Sequence, residues 1–203
     1  IEDYRKELGD TYPSGVTETI SEEEIINGVL GTRFGTSVDL QGDNLVVGAP
    51  SESAGVAGNV IVFKRNGMDW DLEQIINGPT GERFGDAVSL HGDKLAVGGM
   101  NGLVHIYKKV GAAWTLEEDI TPIYSVPEDN YGTSVDLHED KLVIGAPGFD
   151  VNSMLNAGAI YYYKFDGMQW NFEELFLAPD AAFNDRLGER VDTNGTNLIG
   201  GAW

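Results

Sequence analysis

The hydrophobic positions fall into short runs with the period of strands rather than helices. In Ser37–Gln41 (SVDLQ), Val38 and Leu40 alternate with Ser37, Asp39 and Gln41, the pattern of a strand with one buried face. The pair Gly42 and Asp43 then supplies a two-residue hairpin turn. Leu45, Val46 and Val47 follow as a continuous apolar run, which predicts a strand covered on both faces. After a loop comes a second two-sided run, Val60, Ile61, Val62 and Phe63. A turn at Asn66 and Gly67 leads from there to Trp70 and an outer strand over 72–76. Helical i, i+3, i+4 spacing is missing throughout.

This four-strand pattern repeats. The chain reads RFGTSVDLQGDNLVVGAP from Arg33, RFGDAVSLHGDKLAVGGM from Arg83, NYGTSVDLHEDKLVIGAP from Asn130 and RLGERVDTNGTNLIGGAW from Arg186. The anchors Phe34, Phe84, Tyr131 and Leu187 are 50, 47 and 56 residues apart, and Trp70, Trp114 and Trp170 keep pace with the first three. Four-stranded units of ~40–50 residues, buried on both sheet faces, stack radially into a propeller. A β-sandwich does not need one unit repeated with the same Trp and Gly placements, and a solenoid coil is usually shorter. The expected fold class is therefore all-β, a β-propeller of four-stranded antiparallel blades, about 3.5–4 of them in this chain and part of a larger propeller in one reading.

The expected units lie near 28–77, 78–123 and 124–179, with an incomplete one at 180–203. Residues 21–27 (SEEEIIN) match the outer-strand pattern of 71–77 (DLEQIIN), so propeller repeat units are expected over 21–203 and residues 1–20 read as the remnant of a preceding blade. Three arrangements fit: a closed four-bladed ring, a ring completed by a second chain, and a piece of a longer propeller. The weak third strand before Ile20 favours an incomplete chain. The first residue is Ile1 rather than Met, which reads as a processed, trimmed or fragmentary product.

Phe34-Gly35 followed by Gly48-Ala49-Pro50, and Tyr131-Gly132 followed by Gly145-Ala146-Pro147, resemble the FG-GAP repeats of the integrin alpha propeller. Phe84-Gly85 with Gly98-Gly99-Met100, and Leu187-Gly188 with Gly200-Gly201-Ala202, are degenerate copies. The Trp ahead of each outer strand is similar to the non-integrin branch of these repeats. The resemblance implies a rigid propeller used for adhesion or protein binding at a cell surface or outside the cell. Integrin-type repeats often carry a D-x-D-x-D-G calcium loop between FG and GAP. Here only 12 residues separate Gly35 from Gly48, and two strands and their turn use all of them. Each turn offers at most one carboxylate, while calcium takes six to eight oxygens. No cofactor and no metal site is therefore expected, and calcium would need a different, assembled site.

Charge narrows the partners. The 203 residues carry 33 Asp and Glu against 13 Lys and Arg, a net charge of −20. That balance argues against tracking nucleic-acid phosphates or docking on anionic lipid. No apolar run is long enough to span a bilayer as a helix. The absence of Cys removes disulfides and thiolate chemistry and leaves the compartment open. Catalytic fingerprints are missing: there is no G-x-S-x-G, H-E-x-x-H, P-loop or dinucleotide motif. His91 and His138 share one repeat position beside the hairpin turn and read as solvated, while His105 reads as a half-buried strand residue. The pairs Glu117, Glu118 and Glu173, Glu174 read as solvated outer-strand charge that blocks edge pairing.

What differs between copies is the loop after the second strand. It is PSESAGVAG over 50–58, three residues over 100–102 and PGFDVNSMLNAG over 147–158. Variable loops on a rigid frame are where recognition usually sits. The candidate binding residues are Glu52, Asp150, Asn152, Met154 and Leu155, and Asn194 heads the sequon NGT, a glycosylation acceptor in a secreted chain. The expected function is a non-catalytic recognition or adhesion module that shows acidic loops to a protein or glycan partner, extracellular or at the cell surface. The competing reading is a structural accessory subunit, a partial propeller that self-associates or joins a larger assembly through open blade edges. A hydrolase with loop-borne residues is third.

Overall fold

The computed structural model describes residues 26, 32–51, 55–100 and 102–202. The expected remnant at 1–20, most of the outer-strand match at 21–27, and Glu52 lie outside the described residues. Within them the chain forms fourteen strands in four antiparallel sheets. The first blade holds β1 (Ser37–Gln41), β2 (Asn44–Ala49), β3 (Ala57–Asn66) and β4 (Asp69–Thr80). The second holds β5 (Ala87–His91), β6 (Lys94–Gly98), β7 (Val104–Val110) and β8 (Ala113–Ile120). The third holds β9 (Ser134–His138), β10 (Lys141–Ala146), β11 (Ala159–Phe165) and β12 (Trp170–Phe176). A two-stranded hairpin, β13 (Arg190–Thr193) and β14 (Leu198–Gly201), begins a fourth. Strands pair in sequence order within each sheet, with the first innermost, as in propeller blades.

Apolar side chains fill the seams between blades. Val46, Val60, Val62 and Ile76 of the first blade pack on Phe84, Val88, Leu90, Leu95, Val97, Tyr107 and Trp114 of the second. Ala96, Val104, Ile106 and Ile120 of the second pack in turn against Tyr131, Leu137, Leu142, Ile144, Tyr161 and Trp170 of the third. Alternate residues of β6 thus face opposite neighbours: Leu95 and Val97 look back, Ala96 looks forward. That is why this strand's sequence is apolar without alternation. Two of the three recurring Trp residues, Trp114 and Trp170, are buried in the seams. Each fully buried aliphatic side chain contributes ~1.5–3 kcal/mol of transfer free energy.

Polar groups recur in the same seams. Asp39 Oδ2 accepts the Leu90 N–H at 2.6 Å, Ser89 Oγ accepts the Leu137 N–H at 3.0 Å, and Asp136 Oδ2 accepts the Thr193 N–H at 2.7 Å. One repeat position therefore reaches from each inner strand to an amide of the next. The motif glycines work the same way. A Cβ on Gly48 would collide with the Gly85 carbonyl oxygen of the next blade, and one on Gly145 with that of Gly188. Ser37 Oγ and Ser134 Oγ donate to those same two carbonyls at 2.7 Å. The glycine of GAP is where the backbone of the following FG turn rests.

Two readings of the sequence change here. The glutamate pairs of the outer strands are not simply solvated. Each full blade has a register shift at the same place, Val62/Phe63, Ile106/Tyr107 and Tyr162/Tyr163, which bulges out Glu73, Glu117 and Glu173. In the first two blades the residue after the bulge then faces the next blade. Gln74 accepts the Trp114 N–H at 2.7 Å and donates to the Trp114 carbonyl at 2.9 Å, and Glu118 accepts the Trp170 N–H at 3.0 Å. Glu173 and Glu174 are exposed as expected. His91 and His138 are likewise not fully solvated: each is half-buried, with their rings 4.7 Å apart across the seam.

Candidate functional site

Strand order fixes which loops share a face. Inner strands start, second strands end, third strands start and outer strands end on one side, called the upper face here. It therefore gathers the variable loops after β2, β6 and β10 and the connections between blades. Among the described residues the lower face carries the tight turns, such as the one centred on Gly42, whose φ is 58°, and Asp43.

The 147–158 loop is an ordered structure. Val151 and Met154 exchange two backbone hydrogen bonds of 3.1 and 2.8 Å around Asn152 and Ser153, which hold φ of 48° and 71°. Asn tolerates this left-handed region better than most residues, which explains its presence at the tip. Asp150 Oδ1 accepts the Asn156 N–H at 2.9 Å, so its carboxylate shapes the loop. The base of the loop is tied to the connection that enters β13. Asn184 N–H donates to the Leu155 carbonyl at 3.0 Å, Arg186 N–H to that of Asn156 at 3.0 Å, and Leu187 N–H to that of Ala157 at 3.0 Å. Met154 and Leu155 remain 44% and 50% exposed at the crest. The structure thus brings Asp150, Asn152, Met154 and Leu155 into one rigid knuckle. Asn194 stands apart on the lower face. Its Oδ1 accepts the Thr196 and Asn197 N–H groups at 3.0 and 2.8 Å.

Two features of the upper face were missed in the sequence. Where the four inner strands begin there is a cavity of about 400 Å³, lined by Arg33, Arg83, Asp86, Met100, Glu189 and Arg190 among others. Its lining comes from all four repeats, which places it on the axis. The signal was present: arginine precedes the motif's anchor residue in three of four copies, at Arg33, Arg83 and Arg186. Further out, His105 is buried between two carboxylates, with Nδ1 2.7 Å from Asp119 and Nε2 3.1 Å from Glu82. These partners lie 14 and 23 residues away, so no local motif announces them.

The buried phenols nearby are held protonated. Burial, with Asp119 adding to it, pushes Tyr107 up to about 12. Burial also drives Tyr131 well above the ordinary phenol range, followed by the charge and hydrogen bond of Tyr163, whose hydroxyl is 3.1 Å away. Neither supplies a phenolate near neutral pH. Among the described residues no group of three or more His, Cys, Asp or Glu is placed to hold a metal ion, and no helix is long and apolar enough to cross a membrane.

Consecutive four-stranded blades with inner strands around an axis and packed seams define a β-propeller. The profile of the FG-GAP repeat matches residues 27–63 and 114–163. The chain carries FG-GAP repeats over these two segments, and the match is to the repeat without singling out integrin alpha chains. Among solved structures it is similar to the computationally designed Ika4 protein, with a TM-score of 0.59 and 12% identity over 90% of this chain and 92% of that one. It is also similar to Sqt1 of Saccharomyces cerevisiae, with a TM-score of 0.56 and 11% identity over 84% of this chain and 43% of that one. At these identities the likeness is one of fold. No curated protein matches the chain in sequence.

Proposed function

We propose that this chain is a non-catalytic recognition module that presents its upper-face loops to a protein or glycan partner outside the cell or at its surface. The observation that carries the reading is the contrast within the repeat. Seam residues recur from copy to copy, whereas the loops after the second strands differ in length, and the longest is a rigid knuckle with Met154 and Leu155 at its crest. A preorganised apolar crest with polar flanks loses little entropy on binding. FG-GAP propellers commonly serve as ligand-binding modules, which supports the class. The test is an array of purified cell-surface glycans and matrix proteins probed with the chain and two variants. In one, residues 152–155 are exchanged for a Gly-Ser turn; in the other, the lower-face turn at 194–196 is exchanged. The reading expects binding that the first exchange abolishes and the second leaves intact. Equal effects, or no binding, refute it.

A second reading has its own observation. Val38 and Leu40 on β1 and Ile199 on β14 are 63%, 57% and 67% exposed, although their counterparts in other blades are seam residues. In this reading the chain is a structural subunit joined to a larger assembly through those faces. Sedimentation of the isolated chain separates the two: a stable monomer favours the module, a defined higher assembly the subunit.

A further inference from the structure

We infer that the cleft between the second and third blades on the upper face binds an alkylammonium group, with the Glu82 carboxylate as its anchor. The site is separate from the loop crest proposed above. The cleft has a volume of about 300 Å³, and its walls include Glu82, Gly102, Leu103, Pro122, Ser125 and Tyr131. It exists because the second blade has the shortest upper loop. In the first blade a Cβ on Gly58 would collide with the Phe84 carbonyl oxygen, and in the third one on Gly158 would collide with the Leu187 backbone. Those two loops therefore rest on the next blade's motif turn. Gly102 holds the same repeat position, yet a Cβ there would first meet the Glu82 side chain, Oε2 at 3.1 Å and Cδ at 3.2 Å. The space that the longer loops fill against the next blade stays open as the cleft, and Glu82 stands in its wall.

The carboxylate is held by groups that packing does not require. His105 lies opposite Asp119 in the strand pairing and joins it to Glu82, with Nε2 3.1 Å from Glu82 Oε2. In the first blade the matching pair is Ile61 with Ile75, and in the third it is Tyr161 with Leu175. The fold is therefore satisfied at this place without ions, and burying charged groups carries a desolvation penalty that apolar pairs escape. The second blade alone of the three accepts that penalty, and Glu82 is the member of its triad that lines the cleft. With both carboxylates ionised, the three side chains are net negative whether His105 holds one ring proton or two. His105 occupies Oε2 and orients the group, while Glu82 Oε1 has no hydrogen-bond partner among the described residues.

The remaining walls narrow the ligand. Among the described residues that line the cleft there is no Lys or Arg. Ser125 Oγ donates to the Val126 carbonyl at 3.2 Å, which leaves its lone pairs for a donor in the cleft. Tyr161 is fully buried, and its hydroxyl, with Ser125 and Asp129 as polar neighbours, has no hydrogen-bond partner among the described residues. Leu103, Pro122, Val126 and Pro127 supply apolar wall for a methylene stem. A guanidinium is matched by both oxygens of one carboxylate in a fork, and here His105 holds one of the two. A compact ammonium with rotatable donors fits a single oxygen flanked by a hydroxyl. The ligand class is a primary ammonium on a short apolar stem, met either as the lysine side chain of a partner protein or as a free alkylamine.

Titration of backbone amide chemical shifts at low salt tests this with a capped glycyl-lysyl-glycine peptide and with butylamine, against the same peptide carrying norleucine. The inference expects saturable shifts at Gly102, Leu103 and Ser125 with both amines, at ~millimolar Kd or tighter, and none with the norleucine peptide. Glu82→Gln should weaken binding about tenfold. Val126→Lys, at an exposed wall position, tethers an ammonium at the cleft and should weaken it by competition. Matched thermal midpoints show that the variants fold, and the Val126 variant leaves the buried triad untouched. Glu174→Gln, an exposed carboxylate of the third blade, and exchange of the crest at 152–155 should both leave amine binding unchanged, so this site and the crest reading fail separately. Tighter binding of the lysyl peptide assigns a protein side chain, and tighter binding of butylamine assigns a free amine. No saturable shift at these amides, or binding that both the Glu82 and Val126 variants retain, overturns the site.

Discussion

Leu137 and Leu40 hold the same place in two copies of one repeat, yet Leu137 is 3% exposed and Leu40 is 57% exposed. Both sit on an inner strand between an Asp and a polar residue, and both pair with a leucine across the hairpin. What differs is the wall in front of them: Leu137 faces Ala96, Val104 and Ile106 of the second blade. Burial in this molecule is a property of the seam rather than of the strand. The same comparison explains why the copies resemble one another where blades touch and diverge in the loops of the upper face. A seam residue must fit a neighbour's backbone, as Gly145 fits Gly188, whereas a crest residue such as Met154 answers to no neighbouring blade.

Truncation on the two strands gives the largest contrast. Leu137→Ala should lose ~2–5 kcal/mol in urea unfolding, while Leu40→Ala should lose less than about 1 kcal/mol. Equal losses would break the comparison. Next comes Gly145→Ala, whose new methyl meets the Gly188 carbonyl and Ser134 Oγ; it should lose ~1–3 kcal/mol through forced separation of the third blade and the β13–β14 hairpin. Gln74→Ala removes both bonds to the Trp114 backbone and should lose ~1–2 kcal/mol, whereas Glu174→Ala, at the matching exposed position, should stay within ~0.5 kcal/mol.

A pH experiment probes the polar side of the seam. Burial raises the Asp136 carboxyl above its ordinary range, against the pull of the Thr193 N–H and the Ser89 hydroxyl. The folded state then binds that proton more firmly than the unfolded chain. Its contribution to stability is fully present below the ordinary carboxylate value and is lost as pH rises through the raised one. Asp136→Asn should remove this slope, read as a flatter unfolding midpoint across the mildly acidic range. The smallest effect is expected at the crest, where Met154→Ala and Leu155→Ala should each change stability by no more than ~0.5 kcal/mol while weakening partner binding.

The repeat and the strand order were legible in the sequence because packing on both faces leaves a periodic apolar record. The glycines were legible for the same reason, although their physical role proved to be backbone contact between blades. The bulges at Glu73, Glu117 and Glu173 were not, since one extra residue in a strand leaves the composition unchanged and only the register reveals it. Nor were the pairings of Gln74 with Trp114 or Glu118 with Trp170, which join residues 40 and 52 positions apart. The axial arginines were visible as a repeated letter, but their convergence depends on how blades turn about the axis. For the loop candidates, the sequence located the knuckle at 147–158 and left its rigidity to the backbone.

Residue-resolved amide exchange tests the seam account most directly. The Leu90 and Leu137 amides donate across seams to Asp39 and Ser89, whereas among the described residues the Leu40 amide donates to its own neighbour Asp39, at 2.7 Å. The account predicts slow exchange at Leu90 and Leu137, approaching the rate of global unfolding, and fast exchange at Leu40. Similar rates at all three positions would mean that the seams do not hold the blades together, and would contradict it.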